Sequence, residues 1–303
     1  MAAECGLDDV AAVPAHPVPC DAADLSARLA GYPPELGYLS RGMQRRLDPS
    51  RVLPGVRTVI TACLSYATPH PGARQRPPGS AFVSRFAWCP DYHLPVGEAV
   101  ARLAAAVSAR TGSTVRWYVD TGPVLEKAYA AAAGLGFIGR HGLLVHPRLG
   151  SFVFLGVVLT DAEVTGGDRR PDLPGCGTCT ACVQACPTGA LGDPYRLDVH
   201  RCLAHLTVTS REPFPPGVPL DSHLYGCDRC QDACPYNRRA DVPDRAAFRP
   251  LPGLPFMAPA EVLAMDETAF QQRFGTTPAR RRGLAGLQAT ARALIDRESR
   301  GER

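Results

Sequence analysis

The sequence predicts an α+β protein: a mixed α/β domain first, a cysteine-rich domain second and a short helical segment last. Three observations carry that prediction. β-Branched stretches alternate with alanine-rich helical periods up to about residue 165. Eight of the 12 cysteines then crowd between Cys176 and Cys234. From Asp241 the chain is Pro-rich and afterwards helical in pattern, with an arginine run at Arg280, Arg281 and Arg282. The expected divisions are therefore 1–165, 166–240 and 241–303.

Taken in order, RTVITACLSY (Arg57–Tyr66) reads as a buried strand, and the Pro/Gly/Arg stretch Thr68–Gly79 as loop. Val96, Val100, Leu103 and Val107 recur at helical spacing, which predicts an amphipathic helix over Val96–Arg110. A strand at Thr114–Val119, an alanine-rich helix near Val124–Ala133 and strands near Leu143–His146 and Phe152–Thr160 complete the first domain.

Composition excludes several classes. Of 303 residues 45% are hydrophobic, which rules out wholesale disorder. The 33 basic and 29 acidic residues leave a mild +4, with Lys127 the one lysine. Met1–Val10 is acidic and lacks the apolar core of a targeting segment. The longest apolar stretch, Phe152–Leu159, is too short to span a bilayer. A cytoplasmic, soluble chain without a membrane partner is the expectation, and clustered thiols there point to metal rather than disulfides.

Cys176-x2-Cys179-x2-Cys182-x3-Cys186-Pro187 has the spacing of a bacterial ferredoxin run, whose fourth cysteine serves the neighbouring cluster. Cys227-x2-Cys230-x3-Cys234-Pro235 is a second, partial copy, and Cys202 supplies its missing thiolate. Two [4Fe–4S] clusters follow: one on Cys176, Cys179, Cys182 and Cys234, the other on Cys202, Cys227, Cys230 and Cys186. The competing reading is an all-thiolate zinc site, which would leave four of the eight cysteines without a role. A radical-type Cys-x3-Cys-x2-Cys fails, because Gly189 stands where its third cysteine belongs. Two clusters move single electrons. A bare carrier has no need of the N-terminal domain, so the expectation is a redox enzyme with a second cofactor.

Gly134-Leu-Gly136-Phe-Ile-Gly139 matches the dinucleotide fingerprint, but it follows a helix and runs toward a strand, the reverse of what that site needs. It reads as a helix C-cap and a close-packed turn.

Several segments together resemble the epoxyqueuosine reductases, the cobalamin- and iron–sulfur-dependent enzymes of tRNA queuosine synthesis. They are Arg46-Leu-Asp-Pro with Leu53-Pro-Gly, SRFAWCPDYH (Ser84–His93), VDTGPVLEKAYAAAAGLGFIGRHGLL (Val119–Leu144), GSFVFLGVVLT (Gly150–Thr160), both cysteine motifs, and TPARRRGLAGL (Thr277–Leu287). The resemblance implies electrons passing from an external donor through the clusters to a base-off cobalamin, and reduction of the epoxide at the tRNA wobble position to an alkene. It also implies a general acid, which in the family is the aspartate of a D-[ST]-G motif, here Asp120. A carboxyl acts so at neutral pH when a desolvated pocket raises its pKa, and Trp117, Tyr118, Val119, Pro123 and Val124 are the expected apolar wall. The plainer role for Asp120 is a cap on the following helix.

Arg46 matches the family's cobalamin-contacting arginine, and Leu144, Leu155, Ala204, Cys227 and Asp228 match segments bordering the corrin. His93 and His205 are not expected to ligate cobalt. Cys89 is expected as a buried thiol, and Cys5, Cys20 and Cys63 as structural. The tRNA partner, an anticodon stem-loop carrying epoxyqueuosine, would meet Arg238, Arg239, Arg280, Arg281 and Arg282. The sequence reads as a monomer and as a short form without the C-terminal helical repeats of many members. Its rivals are a reductive-dehalogenase-like cobalamin enzyme and a non-catalytic electron carrier or corrinoid activator.

Overall fold

The computed structural model describes residues 1–301 apart from 19–21, 70–75, 166–172, 174 and 193–195. Cys20 and part of the expected Thr68–Gly79 loop lie outside the described residues. The chain divides into two compact units. The first comprises Met1–Ser65, His93–Gly139 and Leu143–Gly177; the second comprises Tyr66–Tyr92, Arg140–Gly142 and Thr178–Arg303.

The first unit is built on a four-stranded antiparallel sheet in the order Asp9–Pro14, Thr58–Ser65, Val153–Thr160, Val115–Tyr118. Every residue of the central strand Thr58–Ser65 is buried, as its β-branched run predicts. The first strand, which no clear sequence pattern announces, ends at Pro14 on the sheet edge, where a missing N–H is tolerated. The helix His93–Thr111 buries Val96, Ala99, Val100, Leu103, Ala104 and Val107, the stripe its spacing announces. Val52, Leu53, Val59, Val124, Tyr129, Val157 and Leu159 make one core cluster; Cys63, Ala130, Leu135, Leu144 and Leu149 make another.

The G-x-G-x-x-G stretch is the cap and turn expected. The helix Glu126–Ala132 ends with Gly134 in the left-handed region at φ +80°. There the Leu135 N–H donates to Ala130 O (2.9 Å) and the Gly134 N–H to Ala131 O (3.0 Å), the paired bonds of a Schellman ending. Phe137–Ile138 and Leu144–Val145 then pair antiparallel.

The second unit departs from the expected three-part division. Its small sheet takes the central strand Ala81–Val83 from the segment Tyr66–Tyr92, pairs it in parallel with His223–Tyr225 and antiparallel with Phe256–Met257. Parallel pairing requires a long crossover, so residues distant in sequence share one core. The C-terminal segment belongs to that core rather than to a unit of its own. Phe82, Trp88, Leu224, Phe270, Phe274, Leu287 and Ala291 are all buried in it. No helix among the described residues is long and apolar enough to cross a membrane.

Candidate functional site

Within the first unit the Val119–Glu126 segment leaves the edge strand and turns sharply at Asp120, whose φ of +58° is left-handed. The Thr121 N–H reaches back to Val119 O at 2.6 Å, closing a three-residue turn with Asp120 at its centre. Glycine is required at 122, because a Cβ there would lie 2.3 Å from the Tyr118 ring. Arg46 Nη1 donates to Gly122 O (3.3 Å), and the Asp120 N–H donates to Glu126 Oε1 (2.8 Å). His93 Nε2 stands 3.7 Å from Asp120 Oδ2.

Two expectations for Asp120 are corrected. It does not cap the helix that follows: the N-cap position is Leu125, and no side chain caps it. The apolar wall is not folded around its carboxyl, which is 59% exposed, and Trp117 is itself exposed on the edge strand. The carboxyl raised by desolvation is Glu126. Burial chiefly, and then the Asp120 charge, push it up to about 8 against the opposing pull of the Asp120 N–H and Arg46.

In the second unit Cys186, Cys202, Cys227 and Cys230 face one another closely enough to interact. Burial raises Cys202, Cys227 and Cys230 first; the Cys186 thiol then adds to Cys202, Cys202 to Cys227, and Cys202, Cys182 and Cys186 to Cys230. The spacing assigns these four to one cluster, but Cys182, assigned to the other, also reaches Cys230. Sulfurs of the four also meet backbone donors. Cys202 receives the N–H groups of His205 and Ala204 where the short helix Leu203–Val208 begins. Cys186 receives the Ala190 N–H at 3.2 Å. For Cys186 burial works against the thiolate, but the Thr188 hydroxyl and the N–H groups of Leu191, Thr188 and Ala190 outweigh it and hold the thiol below its usual range. Of the first set, Cys182 and Cys234 are buried, Cys179 is partly exposed, and Cys176 falls in the first unit's last segment. None of the described cysteines is in a disulfide. No three His, Cys, Asp or Glu side chains among the described residues are drawn together tightly enough to hold a single metal ion. Cys89 is a buried thiol pushed up to about 11 by that burial, and Cys5 and Cys63 are buried as well.

Residues 46–121 match the family model described as epoxyqueuosine reductase QueG, DUF1730, and residues 175–237 match the 4Fe-4S double cluster binding domain. The epoxyqueuosine reductase of Gloeobacter violaceus is 39% identical over 275 residues, covering 88% of this chain and 84% of that protein. The chain belongs to the epoxyqueuosine reductase family. The solved epoxyqueuosine reductase of Streptococcus thermophilus superposes with a TM-score of 0.81 at 26% identity, covering 100% of this chain and 84% of that one. An epoxyqueuosine reductase crystallised with an epoxyqueuosine-modified tRNA-Tyr stem loop gives 0.78 at 26% identity, covering 96% and 77%.

As an epoxyqueuosine reductase, this chain is an oxidoreductase with a double-cluster domain. Its corrin-bordering candidates are held in different ways. Leu144 is buried in an apolar cluster with Cys63 and Leu135, and Leu155 packs against that cluster, so both side chains are core. Ala204 sits half-buried in the first turn after Cys202. Asp228 is buried and committed: it accepts from the Ser84 hydroxyl, from the Arg85 N–H (2.8 Å) and from Arg85 Nη1 (3.4 Å). Arg85 also reaches Asp232 Oδ1 (2.5 Å) and lies 5.3 Å above the Trp88 ring.

Ser84, Arg85, Trp88 and Glu126 lie inside the family-like segments, where nothing in the sequence assigns them a task. Arg280 and Arg281, half-exposed, lie 3.6 and 3.8 Å from Asp91 Oδ2, while Arg238 and Arg239 are exposed. A groove of about 1010 Å³ in the second unit is lined in part by Arg76, Asp221, Arg229 and Arg297. Its arginines are engaged locally: Arg229 pairs with Asp221 at 2.5 and 2.8 Å, Arg76 with Ser80 O, and Arg297 with Val218 O.

Proposed function

We propose that this chain reduces epoxyqueuosine at the wobble position of tRNA to queuosine, with Asp120 as the proton donor, two [4Fe–4S] clusters and a cobalamin. The observation that carries the reading is the Asp120 turn. Its backbone is tied down from two sides while its carboxyl stands 59% exposed, oriented for use rather than buried in a core.

The residues fit the cofactors. The eight cysteines divide by spacing into sets of four; in one set Cys202 and Cys230 each interact with others of the four, and the Cys186, Cys202 and Cys227 sulfurs receive N–H donors. Such donors tune a cluster's potential. Arg46 Nε is buried and has no hydrogen-bond partner among the described residues, so the guanidinium has a donor to offer a propionamide or phosphate. When bound, these groups supply single electrons from an external donor and low-valent cobalt.

Converting an epoxide to an alkene takes up two electrons and two protons and releases the oxygen as water. Asp120 supplies a proton to that oxygen as its C–O bond breaks, which turns a poor leaving group into a good one. Its exposure lets solvent return the proton after each turnover, and His93 lies beside the carboxylate left behind. Arg238, Arg239, Arg280 and Arg281 offer charge to tRNA phosphates.

The test is anaerobic turnover of an epoxyqueuosine anticodon stem-loop by wild type and Asp120→Asn. The variant should lose about 10²-fold or more in kcat with iron content and corrinoid absorbance unchanged. Equal activity in the two would refute the assignment.

A further inference from the structure

A non-glycine residue at positive φ carries a conformational cost that its surroundings must offset. At Asp120 two of those surroundings are visible. The turn closes through the Thr121 N–H on Val119 O, which leaves the Asp120 N–H outside it. Glu126, the first residue of its helix, turns its carboxyl back over six residues and accepts that N–H at 2.8 Å. No side chain caps that helix, and the Glu126 N–H goes to Val124 O at 3.1 Å. Arg46 fixes the next carbonyl but one, Gly122 O, and is also a charged neighbour of Glu126.

We infer that Glu126 is a positioning residue for the reduction: by accepting the Asp120 N–H it latches the turn and fixes where the Asp120 carboxyl is presented. This inference rests on Asp120 being the proton donor. Glu126 never touches the reacting atoms. It acts as an acceptor, a role its carboxyl oxygen fills whether or not the group carries a proton. Burial favours the neutral form, which makes glutamine a close stand-in.

The experiment compares Glu126→Ala and Glu126→Gln with wild type, all as anaerobically purified holoenzyme with iron and corrinoid content matched. Two readouts are needed: amide hydrogen exchange of a peptide covering Val119–Val124, and steady-state kinetics on the stem-loop. Glu126→Ala should raise exchange at the turn about 10-fold and lower kcat about 10-fold at unchanged KM. Glu126→Gln keeps the accepting oxygen and should recover most of both. Unchanged exchange in the alanine variant overturns the latch, even if activity falls. So does a glutamine variant as defective as alanine in exchange. Asp120→Asn separates the two readings, because it should lose turnover while keeping wild-type exchange. Full activity in that variant would remove the acid assignment and leave the exchange result to judge the latch.

Discussion

Replacing Asp228 by alanine should destabilise the second unit severely. The side chain is 3% exposed and accepts three hydrogen bonds, from the Ser84 hydroxyl, the Arg85 N–H and the Arg85 guanidinium. Truncation leaves a buried N–H without an acceptor and removes one of two carboxylates from a guanidinium that is 7% exposed. Breaking a buried charge pair costs about 3–5 kcal/mol. Asp232 stays on Arg85 at 2.5 Å and limits the loss, so about 3 kcal/mol is expected for Asp228→Ala. Asp228→Asn keeps one acceptor and the shape; it should cost about 1–2 kcal/mol. Urea unfolding of the anaerobic holoprotein, followed by far-UV circular dichroism at fixed protein concentration, reads the change in midpoint at constant slope. A Glu212→Ala control on the surface should leave the midpoint within about 0.5 kcal/mol of wild type. The reasoning is refuted if Asp228→Ala shifts the midpoint no further than that control. It is refuted equally if the variant loses only corrinoid, since the carboxylate would then serve the cofactor and not the fold.

Three further outcomes follow from single contacts. Gly134→Ala forces a Cβ into a φ of +80° and should lower stability by about 1–2 kcal/mol; a melting temperature equal to wild type would contradict the Schellman ending. Cys202→Ala should reduce iron from about eight to about four per chain, and retention of both clusters would mean that Cys202 is not a ligand. Glu126 should give stability a pH slope. Its folded-state value is about 8 against an ordinary 4.5, with Asp120 and Arg46 as the charges facing it. Between those values the folded state keeps a proton that the unfolded chain has released, so stability falls as pH rises from 4.5 to 8 and is flat above. The ceiling is about 4–5 kcal/mol, reduced to about 1–2 by solvent at a half-buried side chain. Urea midpoints of wild type and Glu126→Gln should diverge across that window; a constant difference between them disproves the assignment.

Much of the fold was legible wherever the physics is local. The buried strand at Thr58–Ser65 and the helix His93–Thr111 follow from side-chain period alone, within a few residues of the expected bounds. The same holds for the cap at Gly134, because only the order of helix and strand around a glycine run tells a phosphate loop from a helix ending. The double-cluster domain was legible because ligand spacing is a covalent constraint. The crossing of Tyr66–Tyr92 into the second unit was not. Ala81–Val83 is three residues long and gains its identity as a central strand only from partners at 223–225 and 256–257. Ser84 and Arg85 were opaque for the same reason, since their partner Asp228 is more than 140 residues away.

Glu126 is a different kind of omission, for its partner is six residues off and both belong to one quoted motif. The expectation set Asp120 as donor against Asp120 as cap, and both placed the interaction on the aspartate side chain. The structure reverses the direction: the helix residue supplies the acceptor and the aspartate supplies only its backbone N–H. That reversal separates accessibility from desolvation, which fall on two different carboxyls. Asp120 is the accessible carboxyl, and Glu126 takes the desolvation while holding Asp120 in place through the main chain. Apolar residues beside an aspartate are therefore a poor guide to which carboxyl is buried: Asp120 sits among them and is 59% exposed. The better sign is the combination of a short aspartate–glycine turn with a second acid at the start of the next helix, close enough to reach back.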